Sequence, residues 1–170
     1  MAVSVPKPLL GSPRREGPSR SIARSRGEYH RILVPLVEGL ASEQAMAIAC
    51  RLAAEKRTSV TAVTVVEVPV ELPLDAHMFD EEANAKRVLA EAAAIGDRYG
   101  VHVTGRVLRA RAAGDAIVEE ARRAGTEIIV LRAPRKNLGT SRGPVFGRTV
   151  DFVLKQASCR VMVAASPAGH

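Results

Sequence analysis

Short apolar runs alternate with longer segments of helical periodicity from Tyr29 almost to the end of the chain. The runs are rich in Val, Ile and Thr, as buried strands are, and the segments between them repeat apolar residues at i, i+3, i+4 and i+7. The pattern predicts the order βαβαβαβαβ. Strands are expected at 31–37, 59–68, 101–110, 127–131 and 159–165, and helices at 41–55, 81–99, 114–123 and from near 148.

This alternation predicts an α/β fold, because each right-handed crossover lays its helix back over a parallel sheet. We expect a five-stranded parallel sheet of order 3-2-1-4-5 with helices on both faces. In that order the first and fourth strands flank the point where the winding reverses, and ligands bind there at the carboxyl ends of the strands. The predicted crevice is walled by residues 35–38 and 131–135.

Three segments are expected: a basic tail at 1–28, one domain at 29–166 and a short tail at 167–170. The first segment is rich in Pro, Gly, Ser and Arg, which predicts disorder. It is interpreted as a flexible tail or linker, although its Arg- and Ser-rich composition also resembles an organellar transit peptide. It carries six cations and two carboxylates, and so holds most of the net charge of +7.

The composition argues against several classes of function. Three Phe, two Tyr and no Trp leave few rings to stack on bases, so specific nucleic-acid binding is not expected. No apolar run approaches the roughly 20 residues that a membrane span needs. Cys50 and Cys159 form no C-x-x-C pair and are expected to be buried free thiols of a reducing, cytoplasmic protein. The four His are scattered and no catalytic constellation stands out, so neither a metal site nor an enzyme is predicted.

The segment "GTSRGPVFGRTVDFVL" at 139–154 is a glycine-rich basic loop that leads into a helix. Backbone N–H groups and the positive end of a helix dipole together favour an anion. No carboxylate occurs between 132 and 150, where the cations are Arg132, Arg135, Lys136, Arg142 and Arg148. The alternative is a solvated loop, in which Gly139 and Gly143 serve ordinary turns.

Three stretches resemble the universal stress protein family over about residues 29–166. They are "RILVPL", "AGDAIVEEARRAGTEIIVL" and "GRTVDFVLKQASCRVMVAA", the last of which is similar to the family's closing G-[ST]-V-x-x-x-V-L-x-x-A-x-C-x-V-x-V pattern. The chain also resembles the stress-protein-like domains attached to bacterial amino-acid permeases and antiporters. The resemblance implies a Rossmann-like, adenine nucleotide alpha hydrolase-like fold, and a role in regulation rather than catalysis.

Family members that bind ATP use an acid after the Pro of the first strand and a G-x-x-G-x9-G-[ST] loop after the fourth. Pro35 matches, but the acid's place is taken by Val37, and Glu38 follows one residue later. Glu38 is either a substitute ribose partner or a residue that only begins the next helix. The family's pocket for adenine is implied at Val65 and Leu131.

The phosphate loop departs further from the family pattern. Its first two glycines align with Arg132 and Arg135. Eleven residues, rather than the nine of the family pattern, lie between Arg135 and Gly147. The hydroxyl position is Arg148, and Thr149 supplies the hydroxyl one residue later. Arginines at these places either grip phosphate bidentately or fill the space that the backbone needs.

Two interpretations of function follow. The first is a regulatory module that binds ATP, a related nucleotide or another phosphorylated ligand weakly through this altered loop. The second is a ligand-free interaction module that regulates a partner such as a transporter or a signalling protein. In either case a homodimer is expected through residues 159–164, since an apolar edge strand left open invites uncontrolled pairing.

Removal of residues 1–28 should leave the domain folded, because this segment can bury too little apolar surface to offset the entropy of ordering it. Thermal unfolding followed by circular dichroism should give a cooperative transition within a few degrees of that of the full chain. A midpoint lowered by ten degrees or more would contradict the assigned domain boundary.

Overall fold

The structure is a computed structural model that describes residues 29–133 and 147–164. The predicted tails at 1–28 and 167–170, and most of the predicted phosphate loop, lie outside these residues. The predicted order of strands and helices is confirmed. The elements are β1 Arg31–Pro35, α1 Leu40–Lys56, β2 Ser59–Glu67, α2 Phe79–Tyr99, β3 Val103–Ala110, α3 Ala113–Arg123, β4 Ile128–Arg132, α4 Arg148–Gln156 and β5 Arg160–Ala164.

The sheet is wholly parallel in the order β3-β2-β1-β4-β5, as predicted. β1 pairs with β2 over five residues, from Arg31 opposite Ser59 to Pro35 opposite Val63. Its pairing with β4 covers only two, Ile32 opposite Ile128 and Leu33 opposite Ile129. β1 and β4 therefore part toward their carboxyl ends, and the crevice of the fold opens at that edge.

Each face of the sheet is covered by two helices, which gives two separate apolar cores. α1 and α2 cover one face, where buried residues of the helices meet alternate residues of the strands, including Ile32, Val34, Met46, Val88 and Ile128. α3 and α4 cover the other face, where the buried set includes Leu33, Val63, Ile117, Ile129 and Val153. The period of two along each strand thus divides its side chains between the two cores.

The apolar spacing within residues 41–55 predicts one helical face that contains Ala41, Ala45, Ile48, Ala49, Leu52 and Ala53, and the buried face of α1 differs from it in part. Ala45, Ala49 and Ala53 are buried as expected, but Met46 and Cys50 are also buried while Ile48 and Leu52 are half-buried. α1 packs on the sheet and on α2 together, and that double contact turns its buried stripe toward the second helix.

The two cysteines are free, as predicted, but they differ in burial. Burial raises the pKa of the Cys50 thiol to about 11. Cys159 is only half-buried, because it lies in the turn that precedes the edge strand β5, and burial raises its pKa as well. The expectation of two fully buried thiols is therefore correct for Cys50 and wrong for Cys159.

At Gly96, α2 passes close to the residues that begin β3. A Cβ atom there would lie 2.7 Å from the carbonyl oxygen of Val101, which is backbone and cannot move aside cheaply. We expect Gly96→Ala to lower the free energy of unfolding by about 1–3 kcal/mol, because overpacking outweighs the gain in helix propensity. Chemical denaturation measures the change.

The matched control is Ala94→Gly, an exposed position of the same helix. It measures the difference in helix propensity between Ala and Gly, about 1 kcal/mol, at a site where no steric contact contributes. A Gly96→Ala variant as stable as the native chain, or more so, would show that the approach of α2 to β3 is not tight.

Candidate functional site

The parting of β1 and β4 leaves a cavity of about 300 Å³ at the carboxyl edge of the sheet, on the face covered by α3 and α4. We call it the carboxyl-edge cavity. The ends of β1, β2 and β4 and the first turns of α3 and α4 form its walls. The residues that line it are Pro35, Leu36, Val37, Val63, Val65, Glu67, Ala113, Ile117, Leu131, Arg132, Gly147, Arg148, Thr149 and Val150.

The wall after β1 is held in place by two hydrogen bonds that its backbone N–H groups donate. The N–H of Leu36 donates to the carbonyl of Val63 at 2.8 Å, and the N–H of Val37 donates to the hydroxyl of Ser42 at 3.1 Å. Ser42 is buried in the first turn of α1. The side chain of Val37 remains 48% exposed, so an apolar group stands where the family pattern has an acid.

The opposite wall is the start of α4, where backbone N–H donors face the cavity. Gly147 precedes the helix with φ of 77°, a left-handed conformation that favours glycine. Among the described residues no side chain caps the start of this helix, and the first N–H groups of any α-helix have no intrahelical acceptor. Thr149 and Val150 lie in the first turn beside them. This wall presents the positive end of the helix dipole to the cavity.

Two cations add to this potential, Arg132 at the end of β4 and Arg148 at the start of α4. Within the described part of the chain neither side chain forms an ion pair or a hydrogen bond. A cation at the start of a helix is electrostatically unfavourable unless an anion is close by. The arrangement therefore suits an anionic group placed between α4 and β4.

Glu67 is a cavity residue that the sequence analysis did not identify. It ends β2, and its carboxylate accepts a hydrogen bond of 2.7 Å from the N–H of Ala113, which caps α3 from outside the helix. The signal in the sequence that could have identified Glu67 is its position at the carboxyl end of a Val-rich strand, where ligands of such sheets bind. Ser42, whose hydroxyl anchors Val37, was also missed, because only the tertiary structure connects the two.

Eight of the ten predicted site residues line the carboxyl-edge cavity. They are Pro35, Val37, Val65, Leu131, Arg132, Gly147, Arg148 and Thr149. Glu38 is directed elsewhere, since its carboxylate lies 2.8 Å from the guanidinium of Arg87 on α2. Arg135, together with Lys136, Gly139, Arg142 and Gly143, lies outside the described residues.

A second cavity, of about 360 Å³, lies at the amino edge of the sheet, and most of its charged groups already have partners. The carboxylate of Glu127 accepts a hydrogen bond of 2.7 Å from the N–H of His30, and this bond is the main cause that lowers the pKa of Glu127. Arg160 donates to the hydroxyl of Tyr29 at 3.0 Å. The carboxyl ends of helices point to this edge and disfavour anions.

Within residues 29–133 and 147–164, no group of three or more His, Cys, Asp or Glu side chains is placed to hold a metal ion. Among the described helices, none is both long and apolar enough to cross a membrane.

A model of the universal stress protein family matches residues 28–165. No curated protein matches the chain significantly in sequence. Among solved structures, a universal stress protein from Archaeoglobus fulgidus is 19% identical with a TM-score of 0.67, and the match covers 79% of this chain and 98% of that one.

Two further solved structures share the fold and hold nucleotides. A universal stress protein in complex with cAMP is 20% identical with a TM-score of 0.66, and the match covers 81% of this chain and 97% of that one. The universal stress protein from Archaeoglobus fulgidus in complex with dAMP is 19% identical with a TM-score of 0.64. This match covers 80% of this chain and 98% of that one. The likeness over nearly the whole length of these proteins confirms the Rossmann-like α/β fold.

Proposed function

The chain belongs to the universal stress protein family, and we propose that it is a regulatory domain whose carboxyl-edge cavity binds an adenine nucleotide or another phosphorylated ligand. The observation that carries the proposal is a pair of cations beside the start of α4: Arg132 and Arg148 have no ion-pair partner, and the helix start no capping side chain, among the residues that the structure describes. Structures of the same fold solved with cAMP and with dAMP support a nucleotide as the ligand.

The proposed ligand places its phosphate at the start of α4, where backbone N–H groups and the guanidinium of Arg148 can donate to it. Its remaining part extends over Val65 and Leu131, at the ends of β2 and β4. These side chains offer an apolar surface suited to a flat ring.

We expect this binding to be weak compared with that of an ATP-binding member of the family. Val37 supplies no carboxylate for a ribose hydroxyl, and the nearby Glu38 is engaged by Arg87. Arg132 and Arg135 stand where glycines would let the backbone approach phosphate. Three missing hydrogen bonds at about 1 kcal/mol each weaken binding by about a hundredfold.

The proposed role is binding without catalysis, in the cytoplasm. The cavity contains Glu67 as its one carboxylate among the described residues, and this group is occupied in capping α3. Among the described lining residues there is thus no paired acid and base for a hydrolytic step. Two free cysteines suit a reducing compartment.

Calorimetry with ATP, AMP, cAMP and pyrophosphate at low and high salt tests the proposal. We expect weak binding of all four that falls as salt rises, because the contacts at the cavity mouth are ionic and screened. Arg148→Glu should weaken binding by at least about tenfold, since it replaces a phosphate partner with a like charge.

The matched control is Arg51→Glu, the same change at an exposed site on α1 outside the cavity lining. Binding should then stay within about twofold of that of the native chain. Tight, adenine-selective binding that persists in high salt would refute the proposal that the altered loop binds its ligand weakly. An absence of binding would favour a ligand-free module.

That ligand-free module is the second candidate function, and the edge strand β5 favours it. β5 lies at one end of the sheet, and its residues from Val161 to Ala164 are apolar and half-buried. We propose that β5 pairs with β5 of a second copy through Cys159 to Ala164. Such a homodimer could regulate a partner protein such as an amino-acid permease or antiporter, whether or not the cavity is filled.

Light scattering tests the homodimer at concentrations on the order of tens of micromolar. The native chain should have twice the mass of a monomer, and Val161→Lys should reduce it to a monomer, because a charge at an edge strand opposes pairing. Val107→Lys on β3, the other edge strand, is the matched control and should remain dimeric. Circular dichroism of both variants separates lost pairing from lost folding.

A native chain that is monomeric under these conditions would contradict the proposal. A dimer that Val107→Lys breaks and Val161→Lys leaves intact would place the interface at the opposite edge of the sheet.

A further inference from the structure

The connection between β2 and α2 presents apolar side chains to solvent although its backbone is firmly held. We define residues 69–82 as the β2–α2 surface. Among the described residues, half of the eight large apolar side chains that are exposed belong to it. They are Val70 at 78% exposed, Leu72 at 42%, Leu74 at 48% and Phe79 at 75%. Their summed exposed area is on the order of a few hundred Å², a size that marks interaction sites.

Two arginines at the end of β3 hold this segment in place. Arg109 donates from Nε to the carbonyl of Leu74 at 2.9 Å, and its terminal nitrogens contact the carbonyl of Ala76 and the carboxylate of Glu82. Arg111 donates to the carbonyl of Val68 at 3.1 Å and also contacts that of Pro69. The hydrogen bond from Arg109 is the main cause that lowers the pKa of Glu82, which keeps this ion pair charged. The apolar side chains are therefore displayed by a fixed backbone.

The surface is also acidic. No Lys or Arg occurs from Thr58 to Ala85, and the exposed carboxylates are those of Glu71, Asp75, Asp80 and Glu81. The ring of Phe79 is stacked on that of His77, with centroids 5.3 Å apart and planes within 8°. A flat aromatic face among carboxylates suits a guanidinium group, which can stack on the ring and pair with an acid.

The chain itself contains a segment of the complementary chemistry. Residues 1–28 carry six cations against two acids, interspersed with apolar residues. The cations are Lys7, Arg14, Arg15, Arg20, Arg24 and Arg26, and the apolar residues include Val3, Val5, Leu9, Leu10 and Ile22. We propose that residues 1–28 dock on the β2–α2 surface of the same chain. Ion pairs with the exposed carboxylates add to the apolar contacts, so this docking does not depend on apolar burial alone.

The geometry of the sheet allows this contact. Residues 1–28 join the domain at Tyr29, at the amino edge of β1, while the β2–α2 surface follows the carboxyl end of the neighbouring strand. The separation along the strands is about 30 Å, at about 3.3 Å per residue over β2. Twenty-eight residues span up to about 90–100 Å, so the segment reaches the surface without displacing any element.

Zero-length carbodiimide cross-linking of the full chain tests the proposal, because it joins an amine only to a carboxylate in direct contact. Lys7 is the one Lys in residues 1–28. Mass spectrometry should find it joined to Glu71, Asp75, Asp80 or Glu81 on the order of ten times more often than to exposed acids such as Glu55 and Asp97. The yield should fall severalfold in 1 M salt, where the Debye length is about 3 Å.

A matched pair of variants separates docking from general charge attraction. Leu72→Ser removes an apolar contact of the β2–α2 surface, and Leu154→Ser removes one of the same 42% exposure on α4. The first should lower the cross-link yield severalfold, and the second should leave it unchanged. Equal effects of the two variants, or cross-links of Lys7 spread evenly over all exposed acids, would overturn the proposal.

Amide NMR of the full chain gives an independent measurement that does not depend on Lys7. Reversal of two charges, Arg14→Glu with Arg15→Glu, should shift the amide resonances of residues 69–82, whereas Arg51→Glu should not. Shifts confined to residues 1–28 would refute docking. In an equal mixture of ¹⁴N- and ¹⁵N-labelled chains, cross-links of mixed mass would assign the contact to a second copy and overturn docking within one chain.

Discussion

The limited pairing of β1 with β4 is the constraint on which the rest of the structure depends. Two residue pairs join these strands, after which their carboxyl ends part. Beyond this point the chain winds toward β2 and β3 on one side and toward β4 and β5 on the other. The helices α3 and α4, which cover the same face of the sheet, begin beside this gap, and the gap becomes a cavity walled by their first turns. No local feature of either strand creates this space.

Helix dipoles then give the cavity its electrical character. In a parallel α/β sheet every helix begins at the carboxyl edge, so backbone donors gather there and carbonyl groups gather at the amino edge. At α3 the first of these donors, the N–H of Ala113, is bonded to the carboxylate of Glu67. At α4 no side chain of residues 29–133 or 147–164 caps them, and Arg132 and Arg148 add further positive charge. The start of α3 is thus neutralised by a carboxylate of the protein itself, whereas the start of α4 suits the anionic group of a bound ligand.

The carboxyl side of the molecule carries charge of both signs. The start of α4 is basic, while residues 69–82 carry four exposed carboxylates and owe their fixed backbone to Arg109 and Arg111. A phosphorylated ligand and a basic segment would therefore be drawn to different places on the domain. This separation allows a ligand at one place and a protein segment at the other to bind together.

The sequence by itself determined the order of the elements, the sheet order and most of the cavity lining. The apolar periods of two residues in strands and 3.6 residues in helices are local properties of the sequence, and they predict the elements. Because parallel strands all end at one edge of the sheet, the order of the elements then predicts where the site lies. Only the tertiary structure decided the partners of individual side chains. Glu38 pairs with Arg87, and Val37 is anchored by Ser42. Likewise Glu67 caps a helix 46 positions further along the chain, and Met46 turns toward α2. These contacts depend on how helices pack across the sheet, and the apolar pattern of one segment specifies which face is buried but not which neighbour it meets.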